Sequence, residues 1–147
     1  MKKFKFKLAP VLRVREHEEE QQKMRYASVL QKKTQLEQRA EQLVQEIETV
    51  NARDIRTDEV LRPTTFQQHY ADIHEKHKKL KQVRQDISRA EKEVEAERQK
   101  LVEANKRTKM IKTLESKEKE TFFKELQRLE QNQLNEIATQ MYNSYDK

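Results

Sequence analysis

Residues 60–68 read VLRPTTFQQ, and the proline at position 63 divides the chain into two long segments. Proline lacks a backbone N–H donor and disfavours helical geometry in the residue before it, so a helix should break at Arg62. Thr65 and Gln68 have the spacing of a capping box, which predicts that a second helix starts there. This stretch therefore predicts two helices separated by a short turn.

Apolar residues recur at steps of three, four and seven on both sides of the break. Such a narrow stripe is typical of a helix that supercoils with a partner helix. In the first segment the stripe consists of Tyr26, Val29, Leu36, Ala40, Leu43, Ile47 and Val50. In the second segment it consists of Ile73, Leu80, Val83, Ile87, Ala90, Val94, Leu101, Ala104 and Ile111. Because the connection is short, the two helices should pair with each other as an antiparallel hairpin.

The predicted fold is all-α, a long two-helix antiparallel coiled-coil hairpin whose second helix is longer than the first. We expect helix 1 at about residues 10–60, the turn at about 61–65 and helix 2 at about 66–143, in a single domain of residues 1–147. The expected pairing sets Leu43 opposite Val83, Leu36 near Ala90, and Val50 near Lys76.

Polar residues interrupt both stripes toward the open end of the hairpin. These residues are Arg15, Glu19, Gln22 and Lys33 in the first helix, and Glu97 and Thr108 in the second. Each of them forfeits about 1–2 kcal/mol of apolar burial relative to leucine. The pattern therefore predicts that this end of the hairpin is the looser one.

The composition favours helices and excludes several kinds of catalytic site. Of the 147 residues, 39% are charged and 33% are hydrophobic, and there is neither a glycine nor a cysteine. Without glycine the chain cannot form the glycine-rich loops that hold phosphate groups or dinucleotides. Without cysteine it has no disulfide, thiol or zinc–thiolate chemistry. We expect no enzymatic activity and no cofactor.

The net charge of +6 raises the question of nucleic-acid binding. Only residues 1–15 appear one-signed, whereas acidic and basic residues alternate along most of the chain, as on the solvated face of a long helix. Nucleic-acid binders more often present a continuous basic stripe with aromatic residues, so we expect none here. No apolar run reaches the length of a membrane span, and lysines interrupt any signal-peptide core, which predicts a soluble, cytoplasmic protein.

Two histidine-containing segments were considered as metal sites. Residues 16–20, EHEEE, are interpreted as a solvated first helical turn that the helix dipole favours. His74 and His77 are one turn apart, with His69 a further turn back, but no third ligand lies on the same face. We expect no metal site.

The second helix should extend beyond the end of the first. Pro10 should lie opposite about residue 116, which leaves about thirty residues without an intrachain partner. Their apolar side chains are Phe123, Leu126, Leu134, Ile137, Met141 and Tyr145, with Phe122 and Leu129 beside them. Such a stripe fits a docking surface, a self-association surface or a fraying tail, because apolar helix faces normally need burial.

A shorter stripe follows the break at steps of four, three and four. It consists of Phe66, Tyr70, Ile73 and His77. One interpretation is packing at the tip of the hairpin. The other is a partner site on the flank of the coil, because exposed aromatic residues on a rigid helix are effective anchors.

Residues 4–20 read FKFKLAPVLRVREHEEE, and with two helical arms of these lengths the chain resembles the flagellar export protein FliJ and its relatives, the YscO-type stalk proteins of type III secretion. The resemblance implies a non-catalytic antiparallel coiled coil, similar to the paired helices of the γ shaft in rotary ATP synthases. It also implies three partners, namely the flagellar export ATPase FliI, the export-gate membrane protein FlhA and export chaperones. The protein would then lie at the cytoplasmic face of the inner membrane through its partners.

The resemblance also implies two contact zones. The residues expected to contact the ATPase ring are Phe4, Phe6, Leu8, Val11, Leu12, Arg13, Phe122, Phe123 and Leu126. Those expected to contact the export gate are Phe66, Tyr70, Ile73 and His77. A self-associating structural coiled coil is the alternative function, and a nucleic-acid binder is a third hypothesis.

Overall fold

The computed structural model describes residues 2–56 and 63–146, and within these ranges the chain forms two α-helices and no β-strand. Helix α1 spans Ala9–Arg56 and helix α2 spans Pro63–Tyr145. The helices contain 48 and 83 residues, so the second is the longer. Gln22 of α1 contacts Glu97 of α2, whereas the later residue Leu43 packs with the earlier residue Leu80, which is the order of an antiparallel pair. The predicted all-α hairpin is confirmed.

Both helices start at residues whose chemistry suits a first turn. At the start of α1, the N–H of Ala9 donates to the carbonyl of Phe6 (3.2 Å) and that of Leu12 to the carbonyl of Leu8 (2.9 Å). Helix α2 begins at Pro63, where a fixed φ is compatible with helix and the missing N–H has no intrahelical partner to lose.

This start of α2 lies three residues before the predicted one at residue 66. Thr65 is therefore within the helix and not at its N-cap. Proline disfavours helical geometry in the residue before it. Proline itself suits the first position of a helix, so Pro63 starts the next one. The remainder of the predicted turn, and the predicted end of helix 1 at about residue 60, lie outside the described residues.

The chain divides into two compact units, each built from both helices. The first, here the terminal unit, consists of Met1–Glu20 with Glu103–Lys147. The second, here the central unit, is Gln21–Val102.

The central unit contains an apolar core along its seam. Leu43, with 1% of its surface exposed, is buried together with Ile47 and Leu80. Ala40, Val44 and Val83 pack against this cluster. The predicted approach of Leu43 to Val83 is therefore confirmed. Val50 and Lys76 line one surface groove, in agreement with the predicted pairing.

The seam of the central unit also contains a polar pair that links the two helices. The side-chain amide of Gln22 donates to the carboxylate of Glu97 and to its backbone carbonyl, the latter at 3.2 Å. Gln22 is buried, and the Glu97 side chain is 17% exposed. The hydrogen bond from Gln22 lowers the pKa of Glu97 below its ordinary value, and the nearby ammonium group of Lys100 acts in the same direction.

We expect this pair to make hairpin stability depend on acid pH. Because the pKa of Glu97 is lower in the folded state, its contribution is complete above the ordinary glutamate value of 4.5 and is lost as the pH falls through the folded value. Urea unfolding of the wild type and of Glu97→Gln, followed by circular dichroism at neutral pH and at about pH 3, measures this contribution. The variant should lose less stability on acidification than the wild type. Equal losses in the two proteins would contradict the assignment.

The terminal unit contains a second set of polar seam residues, which are also paired. The side-chain amide of Asn105 donates to Glu19 (3.0 Å), and the hydroxyl of buried Thr108 lies 3.3 Å from the backbone carbonyl of Arg15. Within the described residues, no buried side-chain nitrogen or oxygen lacks a hydrogen-bond partner. The polar positions therefore form hydrogen bonds that partly offset the lost apolar burial. The predicted looseness of this end stays a prediction.

Candidate functional site

The N-terminal residues ahead of α1 present two chemically different sides. Burial alternates along residues 3–8: Phe4, Phe6 and Leu8 are half-buried, and the three lysines between and before them are exposed. Residues 7 and 8 form a turn that leads into α1, and the alternation gives the residues before the helix one covered and one exposed side. It explains why aromatic and basic residues alternate in the sequence.

The covered side of this segment contacts helix α2 through an aromatic cluster. The ring centroids of Phe4 and Phe122 are 5.6 Å apart, with the rings tilted by 54°. Phe122 in turn contacts Phe123 edge-on, with centroids 5.6 Å apart and an angle of 78°. We call Phe4, Phe6, Phe122 and Phe123 the aromatic tip. Phe123 remains 50% exposed, so the tip offers aromatic surface to solvent.

The remaining residues of the predicted ATPase zone divide into two groups. Leu8, Leu12 and Leu126 are half-buried, as expected for residues that continue the seam between the helices. Val11 and Arg13 are exposed and remain available to another molecule. The structure thus brings Phe4 and Phe122 into contact, although they are 118 positions apart in the sequence.

The C-terminal part of α2 that lacks a partner is shorter than predicted, because the N-terminal segment contacts α2 at Phe122. About thirty C-terminal residues were expected to lack a partner, but Phe122 and Leu126 are half-buried and the ring of Phe4 covers Phe122. The prediction was wrong for Phe122, because it ended the pairing at Pro10 and left out the residues before it. Residues 127–146 are exposed throughout. Their large apolar side chains are Leu129, Leu134, Ile137, Met141, Tyr142 and Tyr145.

The predicted gate zone near the start of α2 splits into two parts. Phe66 is 57% and Tyr70 67% exposed, and both line a shallow groove with His74. Ile73 is half-buried, and His77 lines a different groove, beside Leu80. One interpretation of the stripe was packing at the tip of the hairpin, but more than half of the surface of Phe66 is open to solvent.

His74 belongs to neither of the predicted contact zones, although the structure places it beside the exposed aromatic pair. Phe66, Tyr70 and His74 are spaced by four residues, so successive turns of α2 bring them to one face. That regular spacing was the available signal. The predicted stripe steps from Tyr70 to Ile73 and not to His74, and this step of three turns it toward the seam.

Two negative observations apply to the described parts of the chain. Residues 2–56 and 63–146 contain no group of three or more histidine, aspartate or glutamate side chains placed to hold a metal ion. Over the same ranges, neither helix has a stretch long and apolar enough to cross a membrane.

Comparison with known proteins gives one match. A family model described as "Flagellar FliJ protein" matches residues 4–146, beginning at the first phenylalanine of the aromatic tip. No curated protein and no solved structure matches the chain. Since the family match covers nearly the whole chain, this protein belongs to the flagellar FliJ family and is related to flagellar protein export.

Proposed function

We propose that this protein is a non-catalytic stalk of the flagellar export apparatus. In this proposal the aromatic tip binds the ring of the export ATPase FliI, and the exposed pair Phe66 and Tyr70 binds the export-gate protein FlhA. Membership of the FliJ family supports the flagellar setting. The observation that carries the proposal is the aromatic tip, which the N-terminal segment and helix α2 build together and which leaves aromatic surface exposed.

The composition of the tip suits insertion into a protein ring. Phe123 and Val11 offer apolar surface, and the lysines that alternate with Phe4 and Phe6 in the sequence are exposed. Buried aromatic anchors contribute most of the affinity in protein interfaces, and peripheral charges accelerate and orient encounter. A surface with both features favours a partner with an apolar lining and acidic groups at its entrance.

The direct experiment is to add the purified chain to purified export ATPase. The proposal predicts faster ATP hydrolysis or greater hexamer formation. No change in either quantity, even at a large molar excess of the chain, would contradict the proposed stalk.

The exposed pair on α2 is the proposed gate contact, and its removal should weaken gate binding. Because both side chains are more than half exposed, Phe66→Ala with Tyr70→Ala should leave helicity unchanged. We expect the affinity for the purified gate protein to fall about tenfold or more, since aromatic anchors are often worth over 1 kcal/mol each. Isothermal titration calorimetry measures the affinity, and circular dichroism checks the fold.

The matched control is Tyr142→Ala with Tyr145→Ala, which removes two exposed aromatic side chains elsewhere on α2. It should retain wild-type affinity for the gate protein. If the Phe66 and Tyr70 variant also binds normally, this pair serves only the hairpin and the gate contact lies elsewhere.

Two finer parts of the proposal rest on the family resemblance. The protein would escort export chaperones, and it would be peripheral at the cytoplasmic face of the inner membrane through its partners. Mixing the purified chain with purified export chaperones and measuring complex formation tests the first part.

Self-association is a second candidate function, which the exposed apolar side chains of residues 127–146 favour. Leu134, Ile137 and Met141 are more than half exposed, although they follow one another at helical spacing. Light scattering over a concentration series tests this function. A mass that stays at that of one chain at every concentration would exclude it.

A further inference from the structure

A groove on α2 in the terminal unit combines exposed apolar and basic side chains. It has a volume of about 550 Å³. Its lining consists of Lys106, Lys109, Met110, Thr113, Leu114 and Lys117. Met110 is 70% exposed, and Leu114 is also exposed. We call this surface the basic groove.

The basic groove faces away from the seam of the hairpin. Thr108 is buried, and Ile111 and Glu115 are half-buried, which identifies them as the residues that face α1. At 100° per residue, Met110 and Lys117 lie on the opposite side of α2. Pairing of the two helices therefore uses neither residue, and an exposed methionine between lysines is left without a structural task.

The positive charge around the groove is only partly compensated by ion pairs. Residues 104–114 contain four basic residues and no acidic one, so the expectation that only residues 1–15 are one-signed does not hold. Two of the four are neutralised, since Arg107 pairs with Glu103 (4.0 Å) and Lys112 with Glu16 (3.9 Å). The two that line the groove, and Lys117 beyond them, form no ion pair within the described residues.

We propose that the basic groove binds an acidic amphipathic helix of a partner protein. The apolar residues of that helix would cover Met110 and Leu114, and its carboxylates would pair with the three lysines. Helices commonly dock on apolar surfaces through residues spaced by three and four, and a methionine thioether adapts readily to the shape of a partner. Complementary charges then select the partner and its orientation. This contact is separate from the aromatic tip and from the Phe66 and Tyr70 pair.

The composition of the groove favours a protein helix over other anionic partners. Its lining contains no aromatic side chain on which a nucleic-acid base could stack. It contains two large apolar side chains, whereas a helix that lies in a membrane surface needs a continuous apolar face.

The probe for this proposal is a fluorescent, synthetic helical peptide with leucines on one face and glutamates beside them. Binding to the full chain is followed by fluorescence anisotropy. Lys106→Gln, Lys109→Gln and Lys117→Gln together should weaken binding about tenfold or more, and so should Met110→Ala with Leu114→Ala. The control is Lys78→Gln with Lys81→Gln and Lys92→Gln, which removes three exposed lysines elsewhere on α2. It should change the affinity less than about twofold.

A second measurement locates the peptide directly. The chain has four methionines, and their methyl groups can be labelled for NMR. Addition of the peptide should shift the methyl resonance of Met110 and leave that of Met24, which is similarly exposed, unchanged.

Three results would overturn the proposal. The first is no peptide binding, and the second is an equal loss of affinity in the groove and control variants, which would indicate general charge attraction. The third is groove-dependent binding of phosphatidylserine vesicles or of a single-stranded oligonucleotide without groove-dependent peptide binding. That result would assign the groove to a membrane or to a nucleic acid.

Discussion

Phe4→Ser with Phe6→Ser is expected to abolish stimulation of the export ATPase at chain concentrations where the wild type stimulates fully. The two substitutions remove the N-terminal half of the aromatic tip and its contact with Phe122. Anchors of this kind often contribute 2 kcal/mol or more each, so the concentration for half-maximal stimulation should rise by about a hundredfold or more. Steady-state ATP hydrolysis over a titration of the chain measures the effect.

The aromatic tip is built from the N-terminal segment and helix α2, and this gives the prediction a second test. Phe122→Ala, in helix α2, should also impair stimulation, because it removes the ring that Phe4 contacts. The matched control is Phe66→Ala with Tyr70→Ala, which should stimulate normally while losing gate affinity. Normal stimulation by the Phe4 and Phe6 variant would show that the tip is not the ATPase contact. The gate contact would remain open to its own test.

Leu43→Ala should cause the largest loss of stability among single substitutions in the central unit. Leu43 is 1% exposed and packs in the cluster with Ile47 and Leu80. Truncating a buried leucine removes its transfer free energy and leaves a cavity, at a cost of about 2–5 kcal/mol. Urea unfolding followed by circular dichroism measures the change in the free energy of unfolding.

A matched leucine on the same chain provides the control. Leu134 is exposed on α2, so Leu134→Ala should change the free energy of unfolding by less than about 0.5 kcal/mol. A comparable loss in the two variants would mean that Leu43 is not a core residue in solution.

The seam could be predicted because it depends on spacing alone. Steps of three and four identify one face of a helix whatever the side chains do, and they predicted the approach of Leu43 to Val83. The start of α2 was placed three residues late because Pro63 both ends one helix and favours the start of the next. Which of these two effects decides the boundary depends on the local backbone, which the spacing of apolar residues does not describe.

The contact of Phe4 with Phe122 could not be predicted from helical spacing. Residues 2–6 lie outside the helices, so the rule that pairs α1 with α2 ends where α1 begins. Polar seam positions were similarly undervalued. In an apolar pattern a glutamate counts as lost apolar burial. Its hydrogen-bond partner on the other helix, here Asn105 for Glu19, cannot be identified from that pattern.

Part of the candidate site followed from the sequence. The exposed pair Phe66 and Tyr70 was identified correctly as an aromatic stripe near the start of α2, but its neighbour is His74 and not Ile73. Small differences in rotation about the helix axis decide which residues share a face. A spacing of three turns one way and a spacing of four turns the other, so two stripes that share members diverge after one step.

The hydrogen bond between Asn105 and Glu19 has a consequence for how the two helices of the hairpin are aligned. A heptad seam can slip by one whole repeat and still bring apolar residues together, but slippage would separate Asn105 from Glu19. A hydrogen bond to a charged group contributes about 1.5–3 kcal/mol, so its loss penalises the slipped alignment. The same displacement would move the ring of Phe122 about 10 Å along the axis, away from Phe4. The hydrogen bond between Asn105 and Glu19 therefore favours the one alignment of the helices that brings Phe4 and Phe122 into contact.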